Sequence, residues 1–349
     1  MCIIFNELCA EKAHVMRFLF INSLKSDYLE DQLFSGLTEL LGKDNVIPYP
    51  VNTNYYFAVK SYPRNMGLSR SAFSYLADRL TNRSAIKAME FDAVIIGSTK
   101  RDTFEHYQQL SHLIPQSMPL IYIDGGDWPE VGGDARRMNF EPLYQDAFRD
   151  RQPDLIFKRE CLIGKEYPDN VIPLPMSFKP QAGFSPVEKR YQVTLWCVES
   201  DPIRTQALQM LQGRYDCIEN GSVPGQQFRS YQRKGLNYLK ELSASRIACN
   251  FRGVGWDTMR YWEIPGVGAF MVTQKPGIVI PDNFADGEHV AYCKDDLSNF
   301  STLLDYYLKN EKEREEIAAN GHRHLMAHHT HLKRAEYFLK VAQERLVHH

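Results

Sequence analysis

Residues 173–198 read PLPMSFKPQAGFSPVEKRYQVTLWCV. Four prolines fall in the first fourteen of these residues with no sustained apolar period. Proline lacks the amide donor and fixes its own φ, so this stretch suits neither a helix interior nor a central strand. YQVTLWCV (191–198) then starts a near-continuous apolar run, the pattern of a strand buried on both faces. The prolines therefore punctuate the chain, and what lies on either side of them decides the fold.

Upstream, MRFLFI (16–21), FDAVIIG (91–97), MPLIYID (118–124), DLIFK (154–158) and NVIPLP (170–175) read as buried strands. Helical patterns separate them. In DYLEDQLFSGLTELLG (27–42), Leu29, Leu33, Phe34, Leu37, Leu40 and Leu41 recur on one face, and Gly42 supplies a stop. Downstream the pattern restarts with YQVTLWCV, RYDCIEN (214–220), RIACNF (246–251), AFMVT (269–273) and EHVAYC (288–293). Strands alternating with helices imply parallel sheets covered by helices. Two sets of five strands exclude one closed barrel and predict an α/β protein of two Rossmann-like, doubly wound domains facing a cleft. The expected division is an extension at 1–15, a first domain at 16–178, a linker at 179–190, a second domain at 191–330, and a terminal helix at 331–349 that packs back on the first domain.

Bulk composition supports this division and narrows the function. A chain of 349 residues with 44% hydrophobic content is long enough for two cores. A net charge of -2 gives no global attraction to nucleic acid or anionic lipid, which disfavours a dedicated polyanion binder. The seven cysteines (Cys2, Cys9, Cys161, Cys197, Cys217, Cys249, Cys293) are scattered and form no C-x-x-C pair, as in a reduced cytoplasmic protein. No apolar run approaches the roughly 20 residues of a membrane span. The N-terminal MCIIFNELCAEKAHV lacks the long apolar core of an export signal.

In open parallel sheets, ligands bind beyond the C-terminal ends of strands, where helix N-termini converge. After YQVTLWCV comes ESDPIRTQALQML: Asp201 is a natural N-cap, Pro202 a natural first residue, and Arg204 a cation in the first turn. That cation opposes the helix dipole, which an anion bound at the helix start would offset. After RIACNF comes RGVGWDTMRYWEIPGVGAF (252–270). Asp257 or Thr258 caps a short helix, Pro265 loosens its last turn by removing a donor to Tyr261, and Gly268 permits the left-handed stop. Arg260 and Glu263 are three apart, hence on one face, among Trp256, Met259, Tyr261, Trp262 and Ile264. A carboxylate can accept two vicinal ribose hydroxyls and an arginine can grip phosphate in a bidentate manner, so the pair reads as half of a nucleotide site.

The run from Arg246 to Leu297, together with ESDPIR and the late HTHLKRA (329–335), resembles the C-terminal domain of GT-B glycosyltransferases, in particular a spore-maturation-type bacterial family and its capsule and lipopolysaccharide relatives. The resemblance implies a metal-independent enzyme with no tightly bound cofactor and a nucleotide-diphosphate sugar as co-substrate. It implies that Glu263 holds the donor ribose, that Arg260 and Arg204 face the diphosphate, and that Asn250, Arg252, Trp256, Asp257 and Thr258 line the same cleft. The acceptor would be a glycan, a protein or a modified base in nucleic acid. Retaining members carry two glutamates with seven residues between them; the first of these positions is Gly255 here. A nucleotide-sugar epimerase of the same fold, or a non-catalytic nucleotide-binding subunit, are the competing readings.

In the first domain, YIDGGDWPEVGGDARR (122–137) places Asp124 and Asp127 after a strand. Either is a candidate general base for the acceptor proton; a tight turn is the plainer reading. Lys158, Arg159 and Glu160 after DLIF are further cleft candidates. The late histidines His322, His324, His328, His329 and His331 lack an H-E-x-x-H pattern, so no metal site is expected. His348 and His349 read as an appended remnant.

Overall fold

The computed structural model describes residues 15–56, 72–216 and 235–346. Residues 1–14 of the expected extension, His348 and His349, Cys2, Cys9 and Cys217, and the strand expected at 214–220 beyond Asp216 lie outside the described residues.

The first sheet contains β1 (Phe18–Ile21), β2 (Val46–Tyr49), β3 (Ala93–Ile96), β4 (Leu120–Asp124), β5 (Leu155–Lys158) and β6 (Val171–Pro173). They are parallel and ordered β2-β1-β3-β4-β5-β6. β2 has no counterpart among the expected strands, because Pro48 and Pro50 interrupt its short apolar run. It stands at the sheet edge, where a missing amide costs no ladder bond. Helices α1 (Tyr28–Leu41), α2 (Ala72–Ala88), α3 (Arg101–Ser111), α4 (Gly133–Arg137) and α5 (Glu141–Ala147) belong to this domain. Asp27 caps α1 by accepting the Glu30 amide, and Gly42 ends it at φ 86°.

The second sheet contains β7 (Tyr191–Thr194), β8 (Ser245–Asn250), β9 (Phe270–Gln274) and β10 (Ala291–Cys293), parallel and ordered β10-β9-β8-β7. Its helices are α6 (Pro202–Leu211), α7 (Gly235–Ser243), α8 (Met259–Gly266), α9 (Phe300–Lys309) and α10 (Glu311–His328), followed by α11 (His331–Leu346).

Alternation along the strands divides the core. Phe18, Phe20, Ala93, Ile95, Ile121 and Ile123 face α1 and α11, whereas Leu19, Ile21, Val94, Ile96, Leu120 and Tyr122 pack with Phe104, Tyr107 and Phe148 on the other side. The cluster against α1 continues into the second domain through Tyr261, Trp262 and Met271. Val193, Leu195, Ile247, Cys249, Phe270 and Val272 form the outer face of the second sheet with α6 and α9.

α11 returns to the first domain, where the Phe338 ring meets Phe18 and Phe157 at 6.2 and 4.6 Å. Gly36 on α1 admits it: a Cβ there would stand 2.5 Å from the His331 carbonyl oxygen. The two chain crossings between domains touch, since the Phe178 amide donates to the His329 carbonyl and the His331 amide to the Phe178 carbonyl, each at 2.9 Å. A second seam pairs residues 161–163 with 277–279 (Val279 amide to Cys161 carbonyl, 2.7 Å; Ile163 amide to Gly277 carbonyl, 3.0 Å). Among the described residues no helix is long and apolar enough to cross a membrane.

Candidate active site

A cleft of about 350 Å³ opens between the sheets, at the C-terminal ends of their strands. Of the expected site residues, Asp127, Arg204, Asp257, Thr258, Arg260 and Glu263 line it, and so does Arg159 of the further cleft candidates. Asp124, Asn250, Arg252 and Trp256 do not.

α8 is the mount. Thr258 occupies its N-cap in extended backbone (φ -117°, ψ 145°) but does not cap it with its side chain. The hydroxyl instead donates to Asn250 Oδ1 at 2.7 Å, and Asn250 Nδ2 donates to Thr273 at 3.2 Å. Asn250 is thus buried support beneath the loop. The first amides of α8, free of a side-chain cap, add their dipole to the cleft wall. Met259, Arg260 and Glu263 face the cleft, while Tyr261, Trp262 and Ile264 are buried in the core. Past Pro265 the Val267 amide closes on the Glu263 carbonyl at 2.9 Å, and Gly268 turns at φ 71° into β9.

Asp257 proves to be a strut. Its Oδ2 accepts the Met176 amide at 2.6 Å and its Oδ1 the Trp262 indole at 2.7 Å. Burial pushes its pKa up, with Arg159 opposing. Arg252 lies on the rim, stacked 4.4 Å over the Trp256 ring and 3.4 Å from Asp201.

α6 begins as expected: Asp201 caps it by accepting the Ile203 amide at 3.0 Å, with Pro202 first. Arg204 reaches back from the first turn and donates to the Val198 carbonyl (2.8 Å), Ser200 Oγ (3.0 Å) and the Phe251 carbonyl through Nε and Nη2 (3.3 and 3.0 Å). Four of the five N–H groups of a guanidinium are therefore engaged, and Nη2 keeps one for the cleft. Gly253 makes room, since a Cβ there would lie 3.0 Å from Nη2. Burial, and then Arg260 nearby, lower the Arg204 pKa to about 10. Two neighbouring cations in one wall favour a bound anion.

The two aspartates of the first domain separate by depth. Asp124 ends β4 fully buried, 3.0 Å from Lys158 Nζ, and accepts the Gly126 and Gly132 amides at 3.3 and 3.0 Å. Its carboxylate clasps the Asp-Gly-Gly-Asp turn, so it is not placed to meet an acceptor. Asp127 lies on the cleft, about a third exposed, paired with Arg159 and 3.6 Å from Arg137. Burial alone would lower the Arg159 pKa, but Asp127, Glu160 and Asp257 raise it. Lys158 is buried beneath Asp124 and away from the cleft.

Gly255 has no room for a side chain. A Cβ there would fall 2.5 Å from Glu160 Oε1 and 3.3 Å from Asp127 Oδ1. The space beside residue 255 is taken by carboxylates from the other domain.

Tyr28, Met176, Ser200 and Tyr238 also line the cleft and were not expected. Tyr28 follows the N-cap after β1, so the strand-end rule applied there reaches it; Met176 and Tyr238 carry no local signal. His329 is buried, with Nε2 on the Asp282 carbonyl at 2.8 Å and Nδ1 facing Arg334. Among the described residues, no group of three or more His, Cys, Asp or Glu is arranged to hold a metal ion.

Residues 185–340 match the model of a family described as glycosyl transferase-like. Comparison with curated proteins by sequence finds no match. Among solved structures the chain is similar to Anabaena HepE in complex with UDP-glucose (11% identity, TM-score 0.57, covering 94% of this chain and 100% of that one). It is similar as well to an alpha-glucosyltransferase in complex with UDP-glucose and DNA containing an abasic site (11%, TM-score 0.58, 95% and 99%). Sucrose-phosphate synthase from Thermosynechococcus elongatus is a third (10%, TM-score 0.54, 96% and 100%). The chain has the two-domain fold of GT-B glycosyltransferases, and its second domain carries a glycosyl transferase-like sequence.

Proposed function

We propose that this protein transfers a sugar from a nucleotide-diphosphate donor to an acceptor hydroxyl, with the donor held by the second domain. The observation that carries the reading is the convergence of Arg204, Arg260 and Glu263 on one wall of the cleft, beside the uncapped start of α8. Glu263 takes the ribose hydroxyls. Arg260, the remaining N–H of Arg204 and the α8 amides offset the charge that develops on the departing diphosphate as its bond to the anomeric carbon breaks. The acceptor oxygen attacks that carbon from the first-domain side, and Asp127 takes its proton. Such a base suits inversion at the anomeric carbon. Closing the cleft excludes water, whose attack on the donor competes.

UDP-glucose, bound by two of the similar proteins, is the first donor to try. Glycans, proteins and modified bases in nucleic acid are the acceptor classes to try, and one of the similar proteins is seen with DNA. Membership of the spore-maturation-type family rests on the residues from Arg246 to Leu297 and on HTHLKRA. Cys161, Cys197, Cys249 and Cys293 are free thiols, which suits a cytoplasmic setting.

Nucleoside diphosphates should raise the melting temperature by mass action, and Glu263→Ala should weaken that binding by about 10-fold or more. No shift with any nucleoside diphosphate would overturn the reading. Incubating the donor alone separates transfer from epimerisation, which would return an isomeric nucleotide sugar.

A further inference from the structure

The loop after β5 reaches the second domain through the side chain of Glu160, which is 1% exposed. Its Oε2 accepts the Trp256 amide and its Oε1 the Asp257 amide, each at 2.9 Å. These are the two amides immediately before the N-cap of α8. A carboxylate that spans consecutive amides fixes the backbone between them, and here it ties the first-domain loop to the loop that leads into α8. The contact depends on residue 255 being glycine, because a Cβ 2.5 Å from Oε1 lies inside any real contact distance.

Groups placed in the cleft adjoin Glu160 on both sides. Arg159, one residue earlier, pairs with Asp127. Asp257, whose amide Glu160 holds, ties its own carboxylate to Trp262 on α8, the neighbour of Glu263. One buried side chain thus sits between the first-domain aspartate and the second-domain donor helix. It is not all that joins the domains: the seam of residues 161–163 with 277–279 and the crossing at Phe178 and His329 are made by backbone bonds that do not involve its side chain.

We propose that Glu160 is a positioning residue, fixing the spacing of Asp127 from Arg260 and Glu263, and that Gly255 is glycine to admit its carboxylate. The catalytic consequence rests on the glycosyl-transfer reading; the seating itself does not.

The test uses the full-length protein and its Glu160→Gln, Glu160→Ala, Gly255→Ala and Glu160→Ala/Gly255→Ala variants. It measures UDP-glucose turnover, UDP affinity by calorimetry, and hydrogen exchange at the 256 and 257 amides. Glu160→Ala and Gly255→Ala should each lower kcat about 100-fold, as a misplacement of about 1 Å does. UDP affinity should stay within about 3-fold, because ground-state binding to the second domain is spared. The double variant should lose little more than Glu160→Ala alone, since the carboxylate that Gly255→Ala displaces is gone and only its 3.3 Å approach to Asp127 Oδ1 remains. Glu160→Gln, which keeps one acceptor oxygen and the side-chain shape, should fall between, and it serves if the alanine variant does not fold. Losses that multiply in the double variant, or a fall in UDP affinity matching the fall in kcat, would overturn the inference. If the wild type neither binds UDP nor consumes UDP-glucose, the donor reading fails on its own and exchange decides the seating. Faster exchange at 256 and 257 in Glu160→Ala upholds it; unchanged exchange overturns it.

Discussion

Asp124 and Asp127 are three residues apart in one turn, yet they do different work. Removing the charge at Asp124 leaves Lys158 buried without its counterion, so Asp124→Asn should destabilise the fold by about 3 kcal/mol or more in chemical denaturation. Asp127→Asn should cost less stability, because Arg159 keeps Glu160 at 3.7 Å and Asp257 nearby, and should lower turnover by about 100-fold or more, read as kcat at saturating donor. The sequence offers the two as equivalent acids after a strand. What separates them is depth: Asp124 is the last residue of β4, inside the sheet's end, and Asp127 stands beyond two glycines on the cleft. His329 carries a pH prediction. It stays neutral between a carbonyl and an arginine, with its pKa driven down to about 3 by burial and by Arg334. A depressed folded-state value means the unfolded chain binds the proton first, so this contribution to stability is intact above about pH 6.5 and is lost as the pH falls toward 3. Urea midpoints should therefore drop more steeply from pH 7 to 4 in the wild type than in His329→Gln.

At the scale of elements, α8 shows how much of a site local sequence can specify. Its length, its cap position, its cleft-facing Arg260 and Glu263 and its glycine exit all follow from spacing and turn chemistry. Gly268→Ala, forced to φ 71°, should cost about 1 kcal/mol in denaturation while sparing UDP affinity, since the residue faces no ligand. Elsewhere spacing runs out. β2 escapes detection because its prolines contradict a central strand, and only the sheet order reveals that it sits at an edge. Asn250 and Asp257 follow strand ends as ligand-binding residues would, but their side chains are consumed by Thr258, Thr273, Met176 and Trp262. Met176 and Tyr238 reach the cleft only through tertiary packing, which no local pattern encodes.

For the molecule as a whole, α11 makes the first domain a composite of both chain ends. Removing residues 331–349 would uncover Phe18, Phe157 and the close-packed face of α1 around Gly36. Such a truncation should aggregate or lose cooperative unfolding, read by light scattering and by the urea transition. The second domain therefore hangs from the first by two strands of chain rather than one. Those strands run side by side and bond to each other where Phe178 meets His329 and His331. Paired cords knotted together, with the seam of residues 161–163 and 277–279 as a second fastening, leave a suspended body able to turn but not to slide away. Opening and shutting of the cleft should thus be a rotation about the line that joins that knot to the seam, with the reacting groups travelling along an arc whose radius is their distance from it.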